Sequence, residues 1–340
     1  MEGGDTRQAG PSSPELVPGL WALGLSREAD EPANNGYLLA EDDGFVLIDP
    51  GWASPLAERN LAAIVGRIGF ELGQLKLVLC THCHPDHYGM APALSRQTGC
   101  ATALHGADAA MIGVDELGFV SRLARWRSWL VDAGVPDAEL LALQGDNRFV
   151  RRTYTAALPT FLVEDNQDLP LANWRIKVIH APGHSAGHVC FFEHRHRLLF
   201  TGDALFAAGR TTISSYPGAA ADPVNRHRES LRRLRAYEAR LALPGPGEPF
   251  ADVDERIAAE LAAIDADLDR AETILLRRGA ATVWQVAVDA HQVHWAGLAQ
   301  IERGAILTQT AALLEALAAD GRVEREGEAP WSWRGAPEGD

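Results

Sequence analysis

Thr81-His82-Cys83-His84-Pro85-Asp86-His87 places three imidazoles and a carboxylate within six residues. Neutral imidazole nitrogens and carboxylate oxygens are what divalent metal ions such as Zn²⁺ take as ligands, and a packed apolar core gains nothing from assembling them. In a tight loop His82 and His84 can point together, while Asp86 and His87 can serve a neighbouring position. A run of solvated histidines is the plainer reading of the same residues. It is disfavoured because similar groups recur downstream at similar places in the chain. Cys80 and Cys83 also form a CxxC pair, readable as a redox couple or half of a structural zinc site. Cys80 should end a strand and Cys83 lies between two candidate ligands, so neither role is expected.

The elements that must position this cluster can be read from its flanks. Leu75-Lys76-Leu77-Val78-Leu79-Cys80 is a short apolar, partly β-branched run that reads as a buried strand, and the spacing after Tyr88 suggests that a helix begins there. The cluster therefore leaves the carboxyl end of a strand, where α/β sheets place their ligands. Upstream, the runs 20–25, 35–40 and 44–49 read as strands of a hairpin-rich sheet, followed by a helix over 55–70. Downstream, strands over 174–180, 189–193 and 197–201 each meet a polar loop. Ala181-Pro182-Gly183-His184-Ser185-Ala186-Gly187-His188 carries two more histidines, and Thr201-Gly202-Asp203 ends a strand in a carboxylate. Between these halves, residues 107 to about 160 form a helical insertion with Met111, Phe119, Trp126 and Trp129 at helical spacing. It is expected either to shape the substrate site as a lid or to pack its tryptophans on the sheet.

Length and composition bound the remaining possibilities. A chain of 340 residues exceeds one small domain, and its 46% hydrophobic and 23% charged content is that of an ordinary globular protein. A net charge of −15 argues against a nucleic-acid partner and against an anionic membrane surface. No apolar run approaches the roughly 20 residues of a membrane-spanning helix. The first 15 residues are polar, with no apolar segment of the signal-peptide kind, so residues 1–14 are expected to be a tail and the location cytoplasmic. Four scattered cysteines do not make a disulfide framework.

Taken in order, these residues resemble the metallo-β-lactamase superfamily of hydrolases. His82, His84, Asp86 and His87 match its HxHxDH motif, His184 its third-histidine loop and Asp203 its bridging aspartate, while Asp49-Pro50-Gly51 matches an early aspartate turn. The likeness covers about residues 15–250 and implies an α/β fold, the αββα sandwich, with the metal site along one edge between two sheets. It implies that His82, His84 and His184 bind a first metal, and that Asp86, His87 and Asp203 hold a second. The cofactor implied is Zn²⁺, one or two ions per chain, with iron as the alternative occupant. Either occupancy supports hydrolysis, since one bound metal lowers the pKa of its water to about 7 and polarises a carbonyl. One element is missing. The family's last histidine sits in a Pro-Gly-His-Gly loop, where this chain has Pro244-Gly245-Pro246-Gly247, and proline offers no side-chain donor. The second site is expected to be weaker, completed by water, Glu248 or His227, or empty. Of the other histidines, His188 is expected to stabilise a loop, His105, His180 and His227 to lie near the cleft, and His194, His196, His291 and His294 to be on the surface. Asp49 is expected to orient a metal-binding histidine.

After residue 250 the pattern becomes helical, over 253–278, 282–290 and 305–319, with a short strand and turn near 321–327. Helices followed by a small hairpin resemble a winged-helix domain, expected over 251–330 with a tail at 331–340. Residues 251–340 carry 17 acidic against 8 basic residues, a net charge of −9, which disfavours duplex binding. This domain is expected to cap the substrate cleft, to mediate homodimerisation, or only to pack. The branch resembled is that of glyoxalase II and broad-specificity thioesterases. The function implied is hydrolysis of an acyl bond, a thioester or ester of a small molecule, by a metal-bound hydroxide, with Asp86 as the catalytic carboxylate. A mononuclear iron persulfide dioxygenase, a lactonase and a catalytically weakened binding protein are the alternatives.

Overall fold

The computed structural model describes residues 13–26, 34–144, 151, 156–327 and 329–336. The apolar runs form two sheets. In the first, seven strands lie side by side in chain order: β1 (Glu15–Val17), β2 (Leu20–Leu25), β3 (Asn34–Glu41), β4 (Gly44–Ile48), β5 (Leu75–Leu79), β6 (Ala101–His105) and β7 (Phe161–Val163). Pairing is antiparallel from β1 to β4, where tight turns suffice, and parallel from β4 to β7. Parallel pairing needs crossovers. Helix α1 (Pro55–Ile68) makes the first, capped by the Ser54 hydroxyl and ended by Gly69 in the left-handed region. Helix α2 (Ala91–Thr98) makes the second.

The second sheet has the order β11-β10-β9-β8, with β8 (Ile176–His180), β9 (Val189–Glu193), β10 (Leu198–Gly202) and β11 (Leu241–Pro244). Every residue of β4, β9 and β10 is buried, the pattern of strands covered on both faces. The apolar clusters show what covers them. Tyr37, Leu39, Val46, Phe191, Leu198 and Phe200 fill the space between the sheets. Leu61, Ile64 and Leu94 of α1 and α2 cover the outer face of the first sheet. Cys190, Phe192 and Leu199 on the outer face of the second are covered by a helix joining β10 to β11, α6 (Pro223–Arg235, after α3 to α5 below), and by the C-terminal helices. Helix, sheet, sheet and helix layers follow, the αββα sandwich.

The insertion comprises α3 (Gly106–Ala109), α4 (Glu116–Asp132) and α5 (Asp137–Leu143). Its tryptophans belong to the apolar cluster on the outer face of the second sheet, which the C-terminal helices share. Trp126 and Trp129 stack on each other with centroids 5.1 Å apart, and they join the cluster built by the C-terminal helices. That contact is reinforced by polar links: the backbone N–H groups of Trp284 and Trp331 donate to Ala133 and Asp132 carbonyls, and Arg303 pairs with Glu139 at 3.2 Å. Sequence periodicity shows that a helix has an apolar face but not which apolar face it meets.

The C-terminal part consists of α7 (Val253–Arg278), α8 (Val283–Ala290) and α9 (Gln300–Ala319), with a three-stranded sheet in which β14 (Ser332–Gly335) lies between β12 (Ala280–Ala281) and β13 (Val323–Glu326). Residues 332–335, expected in a tail, are thus its central strand. Helix α9 begins five residues before its apolar pattern does, because the Glu302 side chain caps the Ala299 N–H at 2.6 Å. Among the described residues no helix is long and apolar enough to cross a membrane. Trp129→Ala is expected to cost about 3–5 kcal/mol in urea unfolding, because it opens a cavity between insertion and C-terminal helices. A loss under about 1 kcal/mol would show that this contact does not hold the two parts together.

Candidate metal centre

The histidine loop leaves β5 and meets two loops from the second sheet, one between β8 and β9 and one after β10. These junctions fix the side chains. His82 Nε2 lies 2.9 Å from His84 Nδ1, which lies 2.9 Å from His184 Nε2. The other nitrogens decide which atoms carry protons. His184 Nδ1 donates to the Thr212 carbonyl at 2.8 Å, which leaves a lone pair on Nε2. The Thr81 hydroxyl donates to Asp49 Oδ2 at 2.7 Å and so accepts from His82 Nδ1 at 3.1 Å, which leaves a lone pair on His82 Nε2. Lone pairs of neighbouring imidazoles thus converge in a buried space. Such a set is unfavourable by itself and suited to a cation, so these residues fit a metal ion.

Asp203 and His87 complete the cluster. His87 Nδ1 donates to Asp49 Oδ2 at 2.8 Å and its Nε2 faces Asp203 Oδ1 at 3.1 Å, while Asp203 Oδ2 lies 3.6 Å from His184 Nε2. His87 Nε2 and Asp203 Oδ1 face each other closely without a well-directed hydrogen bond. The contact is electrostatic. Among the described residues, two overlapping groups could hold a metal: His82, His84 and His184, and His82, His87 and Asp203. Asp86 is in neither. Its side chain is 28% exposed, and its Oδ2 accepts from Asn34 Nδ2 at 2.9 Å and lies 3.8 Å from His87 Nε2. His82, His84, His87, His184 and Asp203 are thus brought together, with Asp86 beside them at the rim.

Burial sets the protonation of the cluster. It lowers the pKa of His82, and neighbouring imidazoles lower it further, while burial followed by His184 takes His84 down to about 4. Both are neutral near pH 7, the state a ligand needs. Burial works against ionised Asp203, but the charge of His87, with smaller contributions from His184 and His188, outweighs it and holds the carboxyl below its usual range. Burial likewise works against charged His87, but Asp203, Asp49 and Asp86 together raise its pKa.

Several residues that hold the site carried little or no signal in the sequence. Buried Asp108, on α3, accepts from Cys83 N at 2.9 Å and Ser185 Oγ at 2.8 Å through one oxygen and from Gly187 N at 2.6 Å through the other, so one carboxylate ties both histidine loops together. Nothing around Gly106-Ala107-Asp108-Ala109 marks it. His188 Nε2 accepts from the Asp203 N–H at 3.1 Å, holding that backbone. Gly202, at φ 49°, lets β10 reach Thr81: a Cβ there would lie 2.6 Å from the Thr81 hydroxyl oxygen. His105 and His180 stack at 4.2 Å outside both ligand groups, His194 and His294 are exposed, and the half-buried His291 lines a cavity rather than plain surface. The four cysteines are free and buried.

Around this centre, a space of about 20 Å³ is lined by His84, His184, Met111 and Tyr216, room for a water. A larger cavity of about 410 Å³ lies beyond Thr212, between the loop carrying Arg210 and Thr211 and the C-terminal helices. A two-sheet α/β sandwich whose loops bring histidines and a carboxylate together defines a candidate metal-binding protein of the αββα class. Residues 29–245 match the metallo-beta-lactamase superfamily, and the chain belongs to that family. It is 22% identical over 242 residues to an atrochrysone carboxyl ACP thioesterase of Aspergillus fumigatus, an alignment covering 71% of this chain and 58% of the relative. A probable metallo-hydrolase of Bacillus subtilis is 26% identical, with 64% and 69% covered, and a hydroxyacylglutathione hydrolase of Haemophilus influenzae is 28% identical, with 52% and 68% covered. Among solved structures, a metallo-beta-lactamase family protein of Thermus thermophilus superposes with a TM-score of 0.80 at 26% identity, covering 94% of this chain and all of that one. A beta-lactamase domain protein of Burkholderia ambifaria shares the fold with a TM-score of 0.78 at 22% identity, covering 98% and 96%.

His227, on α6, packs against Gly183 with both ring nitrogens unpartnered among the described residues. Burial, then His184 and Arg210, push its pKa down to about 3, against about 6.5 for a free imidazole. The folded protein therefore binds fewer protons there than the unfolded chain, so the stability His227 contributes is complete above about pH 6.5 and is lost as pH falls toward 3. In chelator-treated protein, His227→Phe is expected to reduce the dependence of unfolding free energy on pH by about 1.4 kcal/mol per unit between pH 6 and 4. Equal slopes in the two proteins would contradict the assignment.

Proposed function

We propose that this protein is a zinc-dependent hydrolase of small-molecule thioesters or esters. The observation that carries the reading is the convergence of lone pairs from His82 and His184 on His84, beside an ionised Asp203 and next to an open space. His82, His84 and His184 would hold the ion, three neutral nitrogens that suit Zn²⁺, with Asp203 alongside. Zinc there supplies Lewis acidity, activating water and polarising an acyl carbonyl. The chain's own residues do the rest. Thr212, Thr81 and Asp49 aim the imidazoles. Asp86 stands at the rim with Oδ2 oriented by Asn34, placed to take the proton that the attacking water releases.

The substrate reading draws on the larger cavity. Ala271, Val286, Ile306 and Leu313 give it an apolar wall, while Arg270 and His291 are among its polar lining. Its volume is within the range of small-molecule pockets, and Thr212 both lines it and accepts from His184. An acyl chain along the apolar wall would present its carbonyl toward the centre. The thioesterase and the hydroxyacylglutathione hydrolase among the relatives support an acyl substrate. We read the C-terminal helices and sheet as a winged-helix-like module that encloses this cavity in a cytoplasmic enzyme, its net charge of −9 unsuited to a nucleic-acid duplex.

Turnover of a panel of acyl thioesters, esters and lactones is expected to vanish on chelation, to return with Zn²⁺, and to fall ~100-fold or more in His184→Ala. Metal-independent turnover, or none on the whole panel, would overturn the reading. Leu313→Trp is expected to raise KM for long-chain acyl thioesters by about tenfold, since losing two buried methylenes costs about 1.6 kcal/mol, and to leave acetyl thioesters unaffected. An equal effect on both would place the acyl chain elsewhere.

A further inference from the structure

We propose that the centre holds one tightly bound ion, at His82, His84, His184 and Asp203, and that the adjoining position at Asp86 and His87 is closed by the protein itself. The inference rests on the metallo-hydrolase reading and concerns how many ions that site retains.

The two candidate ligand groups compete for one atom. Both require His82, whose Nδ1 faces Thr81, so that only the Nε2 lone pair can be given to a metal. Once it serves His84 and His184, the second position keeps His87 and Asp203 alone. Asp86, the third residue available, turns toward the Asn34 amide at the rim and stands in neither ligand group. Two protein ligands fall short of the three or four that hold zinc firmly.

The roof over that position is glycine backbone. A Cβ on Gly245 would lie 2.6 Å from His87 Cε1 and 2.8 Å from Asp203 Oδ1, so this loop already sits against the ligands it would have to complete. Pro246, the next residue, brings no donor, and its backbone bridges to Asn34. The loop cannot readily turn to offer another residue. Asn35 donates from its backbone to the Gly245 carbonyl at 2.7 Å and from its side chain to the Pro244 and Gly247 carbonyls at 3.2 and 2.6 Å. The buried Tyr37 hydroxyl adds a bond to the Pro244 carbonyl at 2.6 Å, and Gly245 N–H donates to the Gly202 carbonyl at 2.9 Å. Glu248 is exposed beyond this clamp, and His227 lies outside both ligand groups. Neither completes the second position.

The test is metal content by elemental analysis after exhaustive dialysis of the full chain loaded with Zn²⁺, with a parallel Co²⁺ sample for electron paramagnetic resonance. The wild type is expected to keep one equivalent and to give an uncoupled Co²⁺ signal. Pro246→His is expected to keep two, with spin coupling between neighbouring ions. Two retained equivalents in the wild type overturn the proposal, as does a folded Pro246→His protein that still keeps one. If that variant does not fold, calorimetric titration of metal-free wild type decides alone: one binding step supports the proposal and two steps overturn it. Failure of the underlying reading has a different signature, retention of no metal at all.

Discussion

Imidazole rings with their lone pairs turned inward will not stay together in a dry site unless something outside the cluster holds each ring by its other nitrogen. This constraint organises the molecule. Thr212 holds His184, Thr81 holds His82, and Asp49 holds His87, and each of these partners sits in a segment that follows a strand. Asp49 holds two residues at once, since its carboxylate also accepts from the Thr81 hydroxyl and backbone N–H. The first sheet supplies this scaffold through the neighbouring ends of β4 and β5. The second sheet supplies the rest through loops that must arrive within hydrogen-bond reach, and the Asp108 carboxylate makes that arrival specific by bonding both histidine loops. A buried carboxylate is costly unless its bonds are made, so the two loops can pack only in the arrangement that satisfies it.

The parts of this arrangement legible in the sequence are those that follow local rules. Apolar runs ending in polar loops marked β4, β5, β9 and β10, and the crowding of histidines from His82 to His87 marked the site because no packing rule explains it. His184 and Asp203 were recognisable by the strand ends they follow. Asp108 and Asn34 were not, because a carboxylate or amide that bonds groups on distant segments has no local spacing to betray it. The partner of Trp126 and Trp129 was hidden for a related reason: an amphipathic helix announces that it will be covered, and the covering element came from the far end of the chain. Strand β14 carries no local signal because Ser332-Trp333-Arg334-Gly335 is short and largely polar, and gains its strand geometry from pairing with β12 and β13.

The packing of the insertion onto the C-terminal helices has a functional consequence. Those helices are held from two sides, by α6 and the outer face of the second sheet and by α4 and α5 of the insertion, and the cavity beyond Thr212 lies along them. Arg210, whose guanidinium pairs with Asp267 and approaches Glu260, fastens the loop after Asp203 to α7. The loop that orients His184 and the helices that wall the cavity are thus one mechanical unit. A change in how the C-terminal helices pack would be felt at the Thr212 carbonyl, and so at the orientation of His184, without any C-terminal residue touching the ligand cluster.

The same logic explains why a proline can stand at residue 246 without disturbing the fold. If a ligand side chain at that position were what anchored the loop, its loss would free Pro244 to Gly247 and expose His87. The anchors are instead Asn35 and Tyr37 of β3 and the Gly202 carbonyl, none of which depends on the side chain at 246. Proline also restricts φ and lowers the entropy of the unfolded chain, which favours a loop already held in place. Position and ligation are therefore separable here: the backbone keeps the roof of the site while the residue that could reach into it is free to change, and the chemistry falls to the histidines on the other side of His82.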